Sequence, residues 1–134
     1  MRIETNGGTT TICCGEVEIL RHSPRQPILE IGQADFHYQA TLSGMYRIHN
    51  NVQQRVALPR CDVVEGGLRL SAGERTAFVR LVESEHGFTL TVDLPQGFNA
   101  CRLNLPAERD EAVYGGGVQF SHLNLRGRKF PIRS

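Results

Sequence analysis

The histidines, the cysteines and a run of glycines are the residues of this chain whose types and spacing could do chemistry. The histidines and cysteines are His22, His37, His49, His86 and His122, with Cys13, Cys14, Cys61 and Cys101. A metal site would need ligand spacing such as HxH, HExxH or CxxC, and the sequence contains none of these. Ser121 and His122 are adjacent, so in a strand their side chains point to opposite faces and form no nucleophile–base pair. The residue pattern therefore predicts neither a resident metal nor a nucleophilic site, and the histidines are expected to be partly exposed residues of strands or loops.

Three consecutive glycines occupy residues 115–117. A phosphate-binding loop would lead into a helix, whereas residues 118–120 have strand character. The run therefore predicts a sharp turn or a close approach of backbone to another segment. Beside it, Gln119, Ser121 and His122 form a polar cluster where a loop could meet a ligand.

The charge balance excludes two classes of partner. Lys and Arg total 15 and Asp and Glu total 14, which leaves a net charge of +1. A dedicated nucleic-acid or membrane-surface binder would carry a basic excess, so neither partner is expected.

The amino-terminal residues do not have the pattern of a targeting segment. Residues 1–11 are polar and contain an acid, so no signal peptide is expected, and no apolar run is long enough to span a membrane. A cytoplasmic location with reduced, buried cysteines is the expectation.

Strands must position whatever site exists, because the hydrophobic pattern has a period of two. Phe88, Leu90, Val92 and Leu94 alternate with polar residues, and turn signals recur about every 8–12 residues. Further strands are expected at residues 9–20, 35–42, 76–82 and 103–105, with a hairpin at Gly66–Gly67. The sequence predicts one all-β domain, an antiparallel β-sandwich or barrel over residues 1–134.

The carboxyl-terminal stretch remains apolar up to the last residues, Phe130–Pro131–Ile132–Arg133–Ser134. Two interpretations stay open: the last strand closes the sheet, or the chain was cut from a longer one. The apolar composition of this stretch favours the second interpretation, that the chain is part of a longer one. Ahead of this stretch, the acids Glu108, Asp110 and Glu111 indicate a solvated surface rather than a catalytic carboxylate pair.

Residues 111–132, EAVYGGGVQFSHLNLRGRKFPI, resemble a segment of glycoside hydrolase family 31 that reads E-x-x-Y-G-x-G-E-Q-F. The matching residues are Glu111, Tyr114, Gly115, Gly117, Gln119 and Phe120. Val118 departs from the pattern, because the family usually has Glu there. The later LRGRKFPI and the earlier RHSPRQPILEIG, residues 21–32, are similar to the bacterial branch of sulfoquinovosidases and related α-glucosidases.

The resemblance implies a galactose-mutarotase-like β-sandwich, the amino-terminal domain of such an enzyme, with residues 107–134 leading toward an absent catalytic (β/α)8 barrel. The two catalytic aspartates of the family lie in that barrel, so no residue here is expected to be catalytic, and no metal or organic cofactor is expected. The implied partners are a terminal α-linked sugar and the barrel itself. Gly115, Gly117, Gln119 and Phe120 are the residues expected to border the substrate. The alternative is a stand-alone carbohydrate-binding or protein-interaction sandwich, and an uncovered interface would favour self-association.

Overall fold

The computed structural model describes residues 1–40, 46–85 and 87–106. These residues form strands and no helix, and all the strand pairs are antiparallel. The strands are β1 Arg2–Asn6, β2 Thr9–Cys14, β3 Val17–His22, β4 Leu29–Ala40, β5 Tyr46–Ala57, β6 Arg60–Val64, β7 Gly67–Ala72, β8 Arg75–Ser84, β9 Gly87–Asp93 and β10 Ala100–Leu103. The prediction of an all-β, antiparallel fold is confirmed.

Three sheets surround one apolar core. Their strand orders are β1-β2-β3, β10-β4-β5 and β6-β7-β8-β9. Each sheet contributes buried aliphatic side chains to a single cluster, which is the layered arrangement of a sandwich. The cluster comprises Ile12, Leu20, Ile28, Leu29, Ile31, Leu58, Leu68, Leu70, Ala77, Val79 and Leu81.

Period-two patterning produces the four-stranded sheet. In β8, Ala77, Val79 and Leu81 are buried, while Phe78 and Arg80 between them are exposed. Successive side chains of a strand point to opposite faces, so this alternation directs one face of β8 to the core. The expected hairpin is present, since Val64 pairs with Gly67 across a two-residue turn.

Several strands differ from the sequence-based expectation. Strand β1 is not among the predicted strands, β4 begins at Leu29 rather than at residue 35, and β10 spans Ala100–Leu103 rather than residues 103–105. Residues 9–20 form two strands rather than one, because Gly15, at φ 61°, turns the chain between β2 and β3. The twelve-residue strand β5 was not expected, since polar residues dominate YRIHNNVQQRVA. It forms because it pairs with β4 along nearly the whole length of both strands. Pairing with a neighbour here outweighs the weak strand pattern of the segment itself.

Asn99 ends the ladder between β10 and β4. Its backbone N–H donates to the Gly32 carbonyl at 3.2 Å. Its side-chain amide accepts from the Ala34 N–H at 2.8 Å and donates to the Ala34 carbonyl at 2.8 Å. One side chain therefore satisfies the backbone groups of Ala34 that a longer β10 would have paired.

Candidate functional site

The residues expected to border a substrate lie outside the described part of the chain. Gly115, Gly117, Gln119 and Phe120 all follow residue 106, the last residue that the structure describes. Their role as substrate neighbours therefore stays a prediction. The acids at residues 108, 110 and 111 and the histidines at 86 and 122 also lie outside the described residues.

His22 is a structural residue rather than a ligand or a base. Its side chain ends β3 and is buried at 1% exposure, whereas the sequence predicted a partly exposed histidine. The Nδ1 atom accepts from the Ile28 N–H at 3.5 Å, so Nε2 carries the proton and donates to the Pro59 carbonyl at 3.0 Å. Both ring nitrogens are thus used in joining β3 to the segments on either side of it.

The described residues show no metal centre. His37 and His49 occupy paired positions on β4 and β5, where only the backbone is described. Among the side chains that the structure places, no group of three His, Cys, Asp or Glu could hold an ion. Within the same residues, no helix is long and apolar enough to cross a membrane.

The four cysteines are free thiols in four different environments. Cys13 is buried, Cys14 and Cys61 are half-buried and Cys101 is exposed, so the expectation of buried cysteines holds only in part. Cys14 donates to a Glu83 carboxylate oxygen at 3.4 Å, and this hydrogen bond raises the pKa of its thiol. Desolvation by burial raises the pKa of Cys61.

These environments predict an order of thiol reactivity near neutral pH. The thiolate is the nucleophile, so a raised pKa lowers the reactive fraction at Cys14 and Cys61. We expect Cys101 to react with iodoacetamide first, Cys14 and Cys61 several-fold more slowly, and Cys13 last. Peptide mass spectrometry over time gives the four rates.

The variant Glu83→Gln provides the matched control for this order. Removing the carboxylate removes the main cause of the raised Cys14 pKa, so alkylation of Cys14 should accelerate while that of Cys61 stays unchanged. Labelling of Cys61 as fast as Cys101 would contradict the assignment.

A groove of about 550 Å³ lies between the β1–β2 hairpin and the four-stranded sheet. We call it the polar groove. It runs over the edge strand β6 onto the outer face of β7 and β8. Its lining consists of hydroxyl, guanidinium, carboxylate and thiol groups with two prolines and two glycines: Thr5, Gly8, Thr10, Pro24, Pro59, Arg60, Cys61, Asp62, Arg69, Ser71, Gly73 and Thr76.

The polar groove can bind polar groups but holds one carboxylate. Asp62 pairs across the strands with Arg69, whose Nε and Nη2 donate to one Asp62 oxygen at 3.2 and 2.9 Å. Retaining glycosidases need two carboxyl groups about 5–5.5 Å apart, one of them a nucleophile. A single carboxylate held by a guanidinium does not meet that requirement, so the groove is suited to binding rather than to glycoside cleavage.

A smaller recess of about 100 Å³ lies over Gly32 on the sheet β10-β4-β5. Its charged lining is Glu30, Arg55 and Arg102. Its floor is tight, because a Cβ on Gly32 would lie 3.1 Å from a Val52 methyl carbon and 3.2 Å from the Gln54 carbonyl oxygen. The recess also offers one carboxylate, and it is too small for a sugar ring.

Comparison with known proteins relates nearly the whole chain to one part of larger enzymes. No protein-family profile matches the chain. Over 133 residues it is 34% identical to the sulfoquinovosidase of Agrobacterium fabrum, covering 98% of this chain and 20% of that protein. The Escherichia coli sulfoquinovosidase is 28% identical over 123 residues, which are 85% of this chain and 18% of the relative.

A solved structure agrees in fold. A family 31 sulfoquinovosidase from E. rectale, in complex with an aza-sugar inhibitor, matches with a TM-score of 0.71 and 26% identity, covering 98% of this chain and 20% of that one. The chain spans about one fifth of the length of these relatives. The resemblance drawn from the sequence is thereby confirmed: the chain is a homologue of one region of the glycoside hydrolase family 31 sulfoquinovosidases.

Proposed function

We propose that this chain is the non-catalytic β-sandwich of a family 31 α-glycosidase, where it supports the catalytic barrel and borders the sugar pocket. The observation that carries the proposal is the 34% identity to the Agrobacterium fabrum sulfoquinovosidase across one fifth of that protein. A (β/α)8 barrel takes about 250 residues, for which the rest of such a relative has room. In the resulting enzyme the barrel supplies both catalytic carboxylates.

The substrate of that enzyme is a terminal α-linked sugar, with an α-sulfoquinovoside as the first candidate, since both curated relatives are sulfoquinovosidases. Gly115, Gly117, Gln119 and Phe120 are the residues of this chain that we propose beside the pocket. The carboxamide of Gln119 can hydrogen-bond sugar hydroxyls, and the ring of Phe120 offers an apolar surface to the ring C–H groups.

The first test is turnover by the 134-residue chain on its own. We expect no release of nitrophenol from the para-nitrophenyl α-glycosides of glucose and sulfoquinovose, because the two carboxylates of the retaining reaction are proposed to lie in the barrel. The Agrobacterium fabrum sulfoquinovosidase, assayed in parallel, is the positive control for the sulfoquinovoside, and an α-glucosidase is the positive control for the glucoside. Release above the buffer blank that persists through repurification would overturn the non-catalytic assignment.

The supporting role is tested by reconstitution. The Agrobacterium fabrum enzyme, produced without the region that matches this chain, is co-expressed with this chain or with its own missing region. We expect either partner to increase the soluble, active enzyme. Restoration by the native region but not by this chain would count against the proposed support of a barrel.

The same reconstituted enzyme tests the pocket residues. Gln119→Ala and Phe120→Ala should lower kcat/KM about tenfold or more, the effect of losing one well-placed contact. Asn124→Ala, at a nearby position outside the polar cluster of Gln119, Ser121 and His122, serves as the control and should leave kcat/KM within about twofold. Equal kcat/KM values for all three variants would contradict the placement of Gln119 and Phe120 beside the pocket.

We further propose a reducing, cytoplasmic location and self-association of the chain when no barrel covers it. The four free cysteines are consistent with a reducing compartment. An interface left open to solvent would pair with a second copy at high concentration. Sedimentation velocity over a range of concentrations measures this, and a monomer throughout would contradict it.

A further inference from the structure

We propose that the polar groove is a second binding site, independent of the proposed function, for a small sugar that carries one anionic group. Its volume of about 550 Å³ falls within the range of small-molecule sites. The charge of its lining, the spacing of its hydroxyls and the groups on its wall next to the β1–β2 hairpin each point to that class of ligand.

The charge of the groove selects an anion. The lining holds two guanidinium groups and one carboxylate, which together carry one net positive charge. Asp62 already neutralises Arg69 at 2.9 Å. Arg60 has no ion-pair or hydrogen-bond acceptor among the described residues, and it is exposed to the groove. A guanidinium donates two parallel hydrogen bonds to a carboxylate, sulfate or phosphate, so Arg60 is the anion-binding group.

The hydroxyls of the groove select a polyol. Arg60 on β6 pairs with Ser71 on β7, and Ser71 pairs with Thr76 on β8. The three side chains therefore form one row across the outer face, with about 4.8 Å between neighbouring strands. Ser71 and Thr76 are half-buried, and their hydroxyls make no hydrogen bond within the described residues. A ligand anchored on Arg60 would place its own hydroxyls over two groups that both donate and accept.

The wall of the groove formed by the β1–β2 hairpin and by Pro24 and Pro59 adds apolar surface and hydroxyl groups. Pro24 and Pro59 supply apolar surface there, and the hydroxyls of Thr5 and Thr10 are hydrogen-bonded to each other at 3.3 Å. Thr10 is buried and its hydroxyl is also a hydrogen-bond partner of Cys61, so this wall is fixed in position. Among the described residues no aromatic ring lines the groove, so binding depends on the anion and the hydroxyls rather than on stacking.

Nuclear magnetic resonance of the ¹⁵N-labelled chain tests the site with three probes at constant ionic strength: D-glucuronate, D-glucose and inorganic sulfate. We expect D-glucuronate to produce saturable shifts at the amides of Arg60, Ser71 and Thr76. The expected Kd is about 1–10 mM, typical of a small ligand with few contacts. D-Glucose lacks the anion and sulfate lacks the hydroxyls, so each should bind at least about tenfold more weakly.

Matched variants assign the effect to the groove. Arg60→Gln should weaken D-glucuronate binding about tenfold or more, as expected for loss of a charged hydrogen-bonding group. Arg55→Gln, which removes an exposed arginine from the sheet β10-β4-β5, should leave D-glucuronate binding unchanged. Ser71→Ala should weaken binding about threefold to tenfold. Unchanged amide spectra elsewhere in each variant confirm that the fold is intact.

Three results would overturn the proposal. The first is the absence of saturable shifts up to about 50 mM D-glucuronate, far above the expected Kd. The second is an equal loss of affinity in Arg60→Gln and Arg55→Gln, which would indicate attraction to net charge alone. The third is sulfate binding as tight as D-glucuronate, which would remove the sugar from the assignment.

Discussion

Replacement of His22 by alanine is expected to lower the free energy of unfolding by about 3 kcal/mol, because it leaves two buried backbone groups without partners. The ring accepts from the Ile28 N–H and donates to the Pro59 carbonyl. The volume of the ring is also lost from a site that is 1% exposed. Urea denaturation followed by circular dichroism measures the change.

The neighbouring variant Arg21→Ala is the control for His22. Arg21 points to the opposite, exposed face of β3, and its guanidinium pairs with Glu18 at 2.5 Å on the surface. Exposed ion pairs contribute about 0–1 kcal/mol to stability, so the free energy of unfolding of this variant should remain within about 1 kcal/mol of the parent's. A His22 variant no less stable than the Arg21 variant would contradict the structural role of the ring.

Gly67→Ala is the second change with a large expected effect. We expect the free energy of unfolding to fall by about 2–4 kcal/mol, because the added methyl group would clash with backbone atoms rather than with a movable side chain. An ideal Cβ at Gly67 would overlap the Val79 carbonyl oxygen and lie 3.1 Å from the Arg80 Cα. To accept a methyl group, β7 would have to move away from β8. That movement disturbs Leu68, which is 1% exposed in the core. Thermal and urea unfolding of the variant give the size of the loss.

The adjacent glycine separates this clash from a general effect of losing glycine. Gly66 has φ 76°, and an ideal Cβ there meets nothing within 4 Å. Asparagine tolerates this left-handed conformation, so Gly66→Asn should lower the free energy of unfolding by at most about 1 kcal/mol. If Gly66→Asn and Gly67→Ala were equally destabilising, the close approach of β7 and β8 at Gly67 would not be the cause.

Local patterns in the sequence are sufficient to predict the strands and one hairpin of the four-stranded sheet, but not the sheet as a whole. Alternating residues identify β9, β-branched and aromatic residues identify β8, and the glycine pair identifies the β6–β7 hairpin, because each of these signals is contained within a few neighbouring residues. Strand β5 was missed because its stability comes from pairing with β4, which no local pattern records. The burial of His22 could have been predicted, since it lies two residues after the buried Leu20 and therefore faces the same side.

The polar groove could not be predicted from the sequence. Arg60, Ser71 and Thr76 form one row only through the registers of two strand pairs, and Thr10 reaches the groove from a different sheet. No short motif connects these residues. The family resemblance, by contrast, rests on contiguous segments such as residues 21–32 and 111–132, and the order of amino acids alone is enough to recognise it.

Asn99 has a consequence for how the protein behaves among other chains. A sheet edge with free N–H and C=O groups is a template on which a foreign strand can add, and such addition begins many aggregates. At Ala34 both groups are already taken by the Asn99 amide at 2.8 Å. An incoming strand would have to break these two hydrogen bonds before making its own at Ala34. Asn99 therefore disfavours the addition of a foreign strand at this position of the sheet.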